Sequence, residues 1–362
     1  PICSLKLEEY MFKSKLRLAG ALAISGLGLL SAGTAIAQES FSWKVGTTHP
    51  QTSPTFKALE DLSNKVDIMS AGRLTIDVFP AGAIVPAAET YPSMVSGVFD
   101  AAMFYGTWIE GRNSAWLLSN HTPFGFEDRD AIQMWYYTQG GLEQVSELSA
   151  DDGIKIDPFV AQGMEMGMFC REPITSLADL KGKKLRIGGG PHIPIFNALG
   201  VETLALSYEE TYSGLERGVV DCAEWDTPFT NFFAKLHEVG PHLLYPAWWQ
   251  PSATALMGTR QESFDALPDD LKAIWEVAVR EVGLEWSLHS KSLDIEHMKK
   301  IVVQLESVNS FPPEDMARLR KLAPEQLAAY SNANPDFKAI FEDQQEFRGR
   351  YDEYPFLFKF PD

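Results

Sequence analysis

The stretches SGVFDAAMFY, residues 96–105, and RGVVDCAEWD, residues 217–226, share the order Gly-Val-apolar-Asp followed by a small apolar pair. Each stretch follows a helical pattern, and its glycine suits the end of a helix. A strand opened by glycine precedes each one, GRLTIDVF at 72–79 and GKKLRI at 182–187. The order strand, helix, Gly-Val-x-Asp, strand therefore occurs twice, which predicts two α/β lobes built alike.

The two repeated stretches end in polar and aromatic side chains. The first ends at Tyr105, and the second ends at Glu224, Trp225 and Asp226. Continuous apolar strands that alternate with helices favour a largely parallel sheet in each lobe. Because ligands of such open sheets bind at the carboxyl ends of the strands, we expect these residues to face a shared cleft.

One long helix is predicted after Pro268. Its first turn is acidic, and a rough apolar stripe follows, formed by Leu271, Ile274, Ala278, Val282, Trp286, Leu293 and Ile301. An unbroken helix to about residue 307 would reach about 55 Å, which exceeds one domain. We therefore expect it to lie along both lobes, although Gly283 leaves two shorter helices open.

The N-terminus has the composition of a cleaved signal peptide. A basic segment at 13–17 precedes an apolar stretch at 18–30, and Ala35-Ile36-Ala37 fits a cleavage site. We expect residues 1–37 to be an upstream extension and a signal peptide, and the protein to be exported to the periplasm. Because no later segment has 18 consecutive apolar residues, the mature protein should be soluble.

The charge balance argues against a nucleic-acid partner. The chain carries a formal net charge of −18 at pH 7. Such a surface repels phosphate backbones and anionic lipid. A small anion, if bound, would need a local positive group.

The three cysteines do not make a disulfide framework. Cys3 lies before the predicted cleavage site, while Cys170 and Cys222 lie in apolar, strand-like runs. An oxidising compartment would permit one bridge between the last two, and two separate buried thiols are equally compatible with the sequence.

Catalytic and nucleotide-binding motifs are not found. HEVGPH at 237–242 places its histidines five apart and contains a helix-breaking Gly-Pro, so it does not fit a zinc protease. The glycines at 188–190 follow a strand but do not form G-x-G-x-x-G, and no organic cofactor is expected. Glu224 and Asp226 could form a hydrolase pair, but two residues apart on one strand they share a face.

Arg186 stands at the end of a predicted strand, before the glycine-rich turn. A guanidinium there could hold a carboxylate through two parallel hydrogen bonds, which a lysine would orient less well. A surface salt bridge is the alternative role for an arginine with this sequence context.

Several segments together resemble one family, the periplasmic substrate-binding proteins of tripartite ATP-independent periplasmic (TRAP) transporters, also called DctP-like proteins. The resemblance covers nearly the whole mature chain in the right order. It rests on GRLTIDVFPAGAIVPAAETYPSMVSGVFDAA (72–102), NSAWLLSNHTPFGF (113–126), WYYTQGGLE (135–143), SLADLKGKKLRI (176–187), LERGVVDCAEW (215–225) and FDALPDDLKAIW (264–275). The chain is most similar to the branch that binds 2-oxo and 2-hydroxy monocarboxylates.

The resemblance implies a fold of two α/β lobes with a cleft, hinge strands and a long helix spanning both lobes. It also implies site residues. The family's arginine that clamps the ligand carboxylate matches Arg186, and an aromatic residue that lines the cleft matches Tyr105. A glutamine that contacts ligand and metal matches Gln162, a Glu-Trp pair matches Glu224 and Trp225, and a further polar position matches Gln250.

A bound cation follows from the charges as well. A carboxylate held by Arg186 would be repelled by Glu224 unless a cation or a proton lay between them. Glu224, the amide oxygens of Gln162 and Gln250, and the carbonyl of Trp225 offer oxygen donors, which suit Na⁺ or Ca²⁺. The alternative is that Glu224 accepts a hydrogen bond from a ligand hydroxyl without a metal.

Two features depart from the family pattern. Asp226 stands where relatives commonly carry a small apolar residue, and GGGPHIPIF at 188–196 differs from the usual turn after the arginine. Asp226 could therefore contact the substrate, add a metal ligand or alter specificity.

The expected function is to capture a small organic acid and deliver it to the membrane subunits of a TRAP permease. No catalysis is expected, and the protein is expected to be a monomer or a homodimer. The alternatives are a secreted metal-dependent hydrolase that uses Glu224 and Asp226, and a ligand-binding sensor for a receptor kinase. We expect lobe I to comprise residues 38–160 plus about 255–290, and lobe II to comprise 161–254 plus about 291–362.

Overall fold

Two sheets, each covered by helices, make up the described part of the chain. This computed structural model describes residues 39–51, 53–206 and 208–353. In chain order the strands are β1 (Phe41–Thr47), β2 (Leu74–Phe79), β3 (Ala101–Phe104), β4 (Ile154–Gln162), β5 (Met168–Cys170), β6 (Lys184–Arg186), β7 (Glu202–Leu204), β8 (Cys222–Glu224), β9 (His242–Leu244), β10 (Ala253–Arg260) and β11 (Ser307–Asn309).

Helices connect most of the strands, and two of them follow the last described strand. They are α1 (Pro54–Ser70), α2 (Thr90–Val95), α3 (Arg129–Thr138), α4 (Gly141–Glu147), α5 (Ile193–Ala198), α6 (Tyr208–Glu216), α7 (Pro228–Ala234), α8 (Leu236–Val239), α9 (Gln261–Asp265), α10 (Asp269–Val302), α11 (Pro313–Ala333) and α12 (Pro335–Glu353). Short 3-10 helices lie at Ala87–Glu89, Gly106–Ile109, Ser114–Ser119, Ala150–Asp152 and Leu177–Leu180.

Both sheets are mixed, whereas the sequence pattern favours largely parallel ones. The first sheet has the strand order β2-β1-β3-β10-β4, and the second has the order β11-β9-β5-β8-β6-β7. In the first sheet β10 runs antiparallel to its two neighbours, and in the second β5 does so. The remaining paired strands are parallel.

The repeat seen in the sequence is a duplicated β-α-β-α-β unit. The first unit runs from β1 to β3 and the second from β6 to β8, and the strands take equivalent orders, β2-β1-β3 and β7-β6-β8. The pairing corrects one detail of the sequence comparison. The counterpart of the strand at 182–187 is β1 rather than β2, because β1 and β6 are the neighbours of β3 and β8.

The aspartate of each Gly-Val-x-Asp motif anchors the neighbouring strand. The amide of Lys44 donates to Asp100 Oδ2 over 2.9 Å, and the amide of Lys184 donates to Asp221 Oδ2 over 2.8 Å. The aspartate amides return hydrogen bonds to the carbonyls of the same lysines. Gly97, the first residue of the earlier motif and three residues before Asp100, has φ +83° and reverses the chain after α2.

Two connecting segments and one helix carry the chain between the sheets. The chain passes from β4 through residues 163–167 into β5, and from β9 through residues 245–252 into β10. Helix α10 then leads from the first sheet toward β11 in the second. The predicted two-lobe fold, with hinge strands and a spanning helix, is confirmed.

The long helix α10 is unbroken over 34 residues, about 51 Å. Trp275 and Val282 pack into the core of the first sheet, and Ile301 packs into a core cluster of the second. Two shorter helices are therefore the wrong alternative. Gly283 does not kink the helix; it lets the helix approach β4 so closely that a Cβ would overlap the carbonyl of Phe159.

The C-terminal helices differ from the expected division. Leu319 of α11 packs with the second sheet's core, whereas Leu327 of α11 and Phe337 of α12 pack with the core of the first sheet. The sequence comparison had placed residues 291–362 in lobe II, because a uniform helical pattern does not indicate which sheet the helices cover. The lobe boundaries themselves stay a prediction.

Cys170 and Cys222 form a disulfide. They lie directly opposite each other on the antiparallel pair β5 and β8. This register brings the two buried side chains together. Of the two alternatives left open by the sequence, the bridge is the one found.

The predicted signal peptide lies outside the described residues. Within the described ranges, the chain contains no helix with the length and apolar content needed to cross a bilayer.

Replacement of Gly283 by alanine should destabilise the protein by about 1 to 3 kcal/mol, because the new methyl group would push α10 away from β4. Gly349→Ala is the matched control. It lies in α12 with nothing near its Cβ position, and it should be neutral or stabilising by up to about 1 kcal/mol. Urea unfolding of both variants measures the difference, and equal stability would contradict the close-packing role of Gly283.

Candidate functional site

A cavity of about 560 Å³ lies at the carboxyl ends of strands from both sheets. The structure brings together in its lining all seven residues singled out from the sequence, namely Tyr105, Gln162, Arg186, Glu224, Trp225, Asp226 and Gln250. Tyr105 follows β3, and Arg186 and Glu224 are the last residues of β6 and β8. The strand-end geometry predicted from the repeats is therefore found.

Arg186 is almost fully buried, and its guanidinium makes several hydrogen bonds. Its Nη1 donates to Glu224 Oε1 over 2.9 Å and to the Glu224 carbonyl over 3.0 Å. Nε and Nη2 donate to the carbonyl of Leu206 over 3.3 Å each. The guanidinium lies over the ring of Trp225, 4.8 Å from its centroid, which favours a cation. Arg186 thus makes a salt bridge, but a buried one within the cleft rather than on the surface.

Glu224 is bound from a second direction by the glycine-rich turn. Its Oε1 also accepts a hydrogen bond of 2.6 Å from the amide of Gly188. The next two residues, Gly189 and Gly190, have φ +125° and +130°, values that favour glycine. The turn therefore points a backbone N–H at the carboxylate of Glu224, and this hydrogen bond adds to the ion pair with Arg186.

Gln162 connects the two halves of the cleft. Its Oε1 accepts a hydrogen bond of 3.0 Å from the hydroxyl of Tyr105, and its Nε2 lies 3.5 Å from Asp226 Oδ1. Gln162 ends β4 of the first sheet, while Asp226 follows β8 of the second. The amide is thus placed where the chain crosses between the sheets.

Asp226 is buried, and its Oδ1 accepts a hydrogen bond of 2.6 Å from the amide of Thr227. Its carbonyl accepts a hydrogen bond from Asn231 of α7. Burial raises the pKa of Asp226 to about 7. This carboxyl therefore fixes the local backbone and titrates near neutral pH.

Sequence reasoning missed a third acid, Glu165. It is buried, and its Oε2 accepts a hydrogen bond of 2.5 Å from the indole N–H of Trp249. Burial, followed by the charge of Glu224 and a hydrogen bond with it, raises the pKa of Glu165 well above its usual range. An acid inside the run GMEMGMF was the signal that could have identified it.

Three histidines near the cleft were also missed. Burial lowers the pKa of His49 to about 4 and that of His121 to about 3. His192 lies 3.2 Å from His121, Nδ1 to Nε2, and burial also lowers its pKa well below the usual value. These rings are uncharged at neutral pH, so they do not offset the three carboxyl groups.

Acidic side chains outnumber basic ones in the lining of the cleft. Among the described residues that line it, Arg186 is the one lysine or arginine, against Glu165, Glu224 and Asp226. No group of three or more His, Cys, Asp or Glu side chains in the described ranges is arranged to hold a metal. A cation would therefore need amide and carbonyl oxygens beside Glu224, and Gln162, Gln250 and Trp225 place such oxygens around the same cavity.

Comparison with known sequences identifies one matching family. The family model described as DctP, bacterial extracellular solute-binding protein, family 7, matches residues 45–333. A monocarboxylate 2-oxoacid-binding periplasmic protein of Nostoc sp. is 26% identical over 307 residues, which is 84% of each chain.

Solved structures with this fold include ligand complexes. A TRAP transporter solute-binding protein from Bordetella bronchiseptica, a dimer with calcium and picolinate in one active site, is 26% identical with a TM-score of 0.83, over 88% of this chain and 95% of that one. A TRAP solute-binding protein from Pseudoalteromonas atlantica with sodium and pyruvate is 24% identical with a TM-score of 0.80, over 87% and 96% of the two chains.

Asp226→Asn should change how stability depends on pH. The folded-state pKa of Asp226 is about 7, so the folded protein keeps a proton that the unfolded chain releases above about pH 4. The wild type should therefore lose stability relative to Asp226→Asn as pH rises from about 4 to 7, by about 1 to 3 kcal/mol.

Urea unfolding at several pH values, in the absence of ligand, measures this difference. Asp77→Asn, on an exposed position of β2, is the control and should not reproduce the trend. A pH-independent difference between the wild type and Asp226→Asn would contradict the assignment.

Proposed function

Because the chain belongs to family 7 of the bacterial extracellular solute-binding proteins, we propose that it captures a 2-oxo or 2-hydroxy monocarboxylate together with Na⁺ or Ca²⁺. We further propose that it is exported to the periplasm and delivers this acid to a TRAP permease. The observation that carries the proposal is the buried Arg186–Glu224 pair in a cleft that also contains two further buried acids, Glu165 and Asp226.

The proposed role of Arg186 is to bind the carboxylate of the acid. Its planar guanidinium is already oriented by Leu206 and by the ring of Trp225, so little side-chain freedom is lost when a ligand binds. An incoming carboxylate would compete with Glu224 for the guanidinium of Arg186. The two anions can share the site only if a second positive charge, or a proton, lies near Glu224.

The proposed cation supplies that charge. Glu224, the amide oxygens of Gln162 and Gln250, and the carbonyl of Trp225 are oxygen donors, which prefer hard cations. Burial, and next the charge of Glu224, raises the pKa of the neighbouring Glu165. The calcium in the Bordetella relative and the sodium in the Pseudoalteromonas structure support this part of the proposal.

The remaining lining would select and enclose the acid. Tyr105 and Trp225 offer aromatic walls, and Asp226 or Gln162 could accept or donate a hydrogen bond at the 2-position. Movement of the two sheets about the connecting segments 163–167 and 245–252 would close the cleft. Closure would exclude water and favour the form that a permease recognises. Binding and release, with no bond made or broken, are sufficient for this role.

Substitution of Arg186 tests the carboxylate clamp. Arg186→Ala should weaken binding of the best acid at least about 100-fold, and Arg186→Lys by about 10-fold, because lysine keeps the charge but loses the planar pair of donors. Calorimetry with a panel of 2-oxo, 2-hydroxy, aromatic, dicarboxylic and sulfonic acids measures the affinities. The panel also identifies the ligand class.

Arg171→Lys is the matched control, since Arg171 follows β5 and does not line the cavity. Thermal unfolding of each variant shows whether it is folded, since removal of Arg186 leaves Glu224 buried without its partner. Unchanged affinity in folded Arg186→Ala would refute the clamp. A panel in which no acid binds would refute the function.

Removal of metal tests the cation separately. After treatment with a chelator and dialysis into buffer free of Na⁺, affinity for the acid should fall at least about 10-fold and should return with Ca²⁺ or Na⁺. Glu224→Gln should abolish this recovery, because a neutral amide binds a hard cation more weakly than a carboxylate. Affinity that is indifferent to both ions would refute the cation but leave acid binding intact.

A further inference from the structure

The cavity of the cleft is larger than a three-carbon acid requires. It has a volume of about 560 Å³. A three-carbon 2-oxo acid has six non-hydrogen atoms, and at about 30 Å³ for each, the volume of one water molecule in the liquid, it fills about 180 Å³. The cavity therefore has room for a longer acid, and the side chains in its lining indicate which kind.

Uncharged polar side chains line the cavity on the side of the first sheet, namely Thr48, Asn120 and His121. All three are buried, with 2%, 4% and 3% of their surface exposed. Thr48 follows β1, and its amide donates to the carbonyl of Met103 over 3.3 Å. Asn120 comes directly after Ser119, which lies against Gly106. Thr48 and Asn120 therefore adjoin the same segment, residues 103–106, at the end of β3.

These side chains have hydrogen-bonding atoms that the described part of the chain does not use. Thr48 Oγ1, Asn120 Oδ1 and His121 Nδ1 are buried and have no hydrogen-bond partner among the residues that the structure describes. The other ring nitrogen of His121 lies 3.2 Å from His192 Nδ1. Because buried polar atoms nearly always have a partner in folded proteins, these three atoms indicate a ligand that supplies hydrogen bonds.

The three groups share one chemical property, which is that each can both donate and accept. A threonine hydroxyl and an asparagine amide offer a donor and an acceptor, and a neutral imidazole has one nitrogen of each kind. Burial lowers the pKa of His121 to about 3, so its ring is neutral at pH 7. Hydroxyl groups of a ligand complement this set because they also donate and accept. A second carboxylate would find no basic side chain besides Arg186 in the described lining, and its burial would be unfavourable.

The glycine-rich turn connects these groups to the proposed carboxylate site. A Cβ on Gly188 would lie 3.6 Å from Arg186 Nη1, and a Cβ on Gly190 would lie 3.0 Å from His121 Nε2. Two residues of extended chain span about 7 Å. A carbon chain that advances roughly 1.3 Å per bond covers this distance with about six carbons. An acid of that length, with its carboxylate at Arg186, therefore reaches the surroundings of His121.

On the basis of the proposed function, we propose that Thr48, Asn120 and His121 form a second subsite of the cleft, which binds hydroxyl groups on the carbon chain of the acid. The ligand class is then a monocarboxylate of about six carbons with several hydroxyl groups. An aliphatic chain would leave the same buried polar atoms without partners, which is a cost that a hydroxylated chain avoids. Arg186 binds the carboxylate in either case, so the second subsite determines selectivity among acids.

Acids of equal length test the subsite. Gluconate and 2-hydroxyhexanoate have the same carboxylate, 2-hydroxyl group and number of carbons, and they differ in the hydroxyl groups further along the chain. In calorimetry with Ca²⁺ and Na⁺ present, the best of several hexonate stereoisomers should bind at least about 100-fold more tightly than 2-hydroxyhexanoate. 2-Hydroxyadipate, which has a second carboxylate, should bind at least about 10-fold more weakly than that hexonate. The corresponding 2-oxo acids are measured in the same way.

Substitution of the subsite residues shows where the selectivity arises. Asn120→Leu and Thr48→Val replace polar groups by apolar ones of similar size, and each should lower the ratio of hexonate affinity to 2-hydroxyhexanoate affinity at least about 10-fold. Asn332→Leu, at an exposed position of α11 outside the cavity, is the matched control and should preserve the ratio. Thermal unfolding shows whether each variant is folded, and the two substitutions test the subsite independently.

The possible outcomes separate the subsite from the function on which it rests. A protein that binds none of the acids would refute the proposed function itself. A protein that binds aliphatic acids as tightly as every hexonate would overturn the subsite and leave the proposed function intact. Equal affinity for 2-hydroxyadipate and the best hexonate would overturn the restriction to uncharged groups. A hexonate preference that the folded variants keep would overturn the assignment of Thr48 and Asn120.

Discussion

The buried ion pair between Arg186 and Glu224 is the interaction on which the cleft depends. Two charges can be removed from water only if they are paired and their remaining hydrogen-bonding groups are satisfied. The end of β6 and the end of β8, which are neighbouring parallel strands, supply the two side chains. The Gly188 amide and the Leu206 carbonyl complete the set. The same arrangement leaves Glu165 and Asp226 without a second basic side chain among the described lining residues, and burial raises the pKa of both.

The duplicated β-α-β-α-β unit explains why such a site exists at all. In each unit an aspartate, Asp100 or Asp221, ties the third strand to its neighbour by backbone hydrogen bonds. The carboxyl ends of the strands are thereby aligned at one edge of each sheet. Because β4, an edge strand of the first sheet, ends beside the cleft and its neighbour β10 begins beside it, the two sheets supply residues to one cavity. The disulfide between Cys170 and Cys222 fixes the strand that carries Glu224.

Helix α10, 34 residues long, connects the two sheets. Its inner face joins the cores of both sheets, and the close contact at Gly283 brings it against β4.

The sequence by itself determined most of the elements and identified seven of the residues that line the cleft. Local rules were sufficient for Gly97, for the length of α10, and for the strand ends at Tyr105, Arg186 and Glu224, because strand and helix periodicity act over a few residues. Glu165, the neutral histidines, the partner of Cys170 and the sheet that α12 covers were decided only by the tertiary structure. Each depends on burial and on neighbours more than 30 residues away. Burial determines the pKa of a group, and spatial contact determines which residues pair. A short stretch of sequence shows neither.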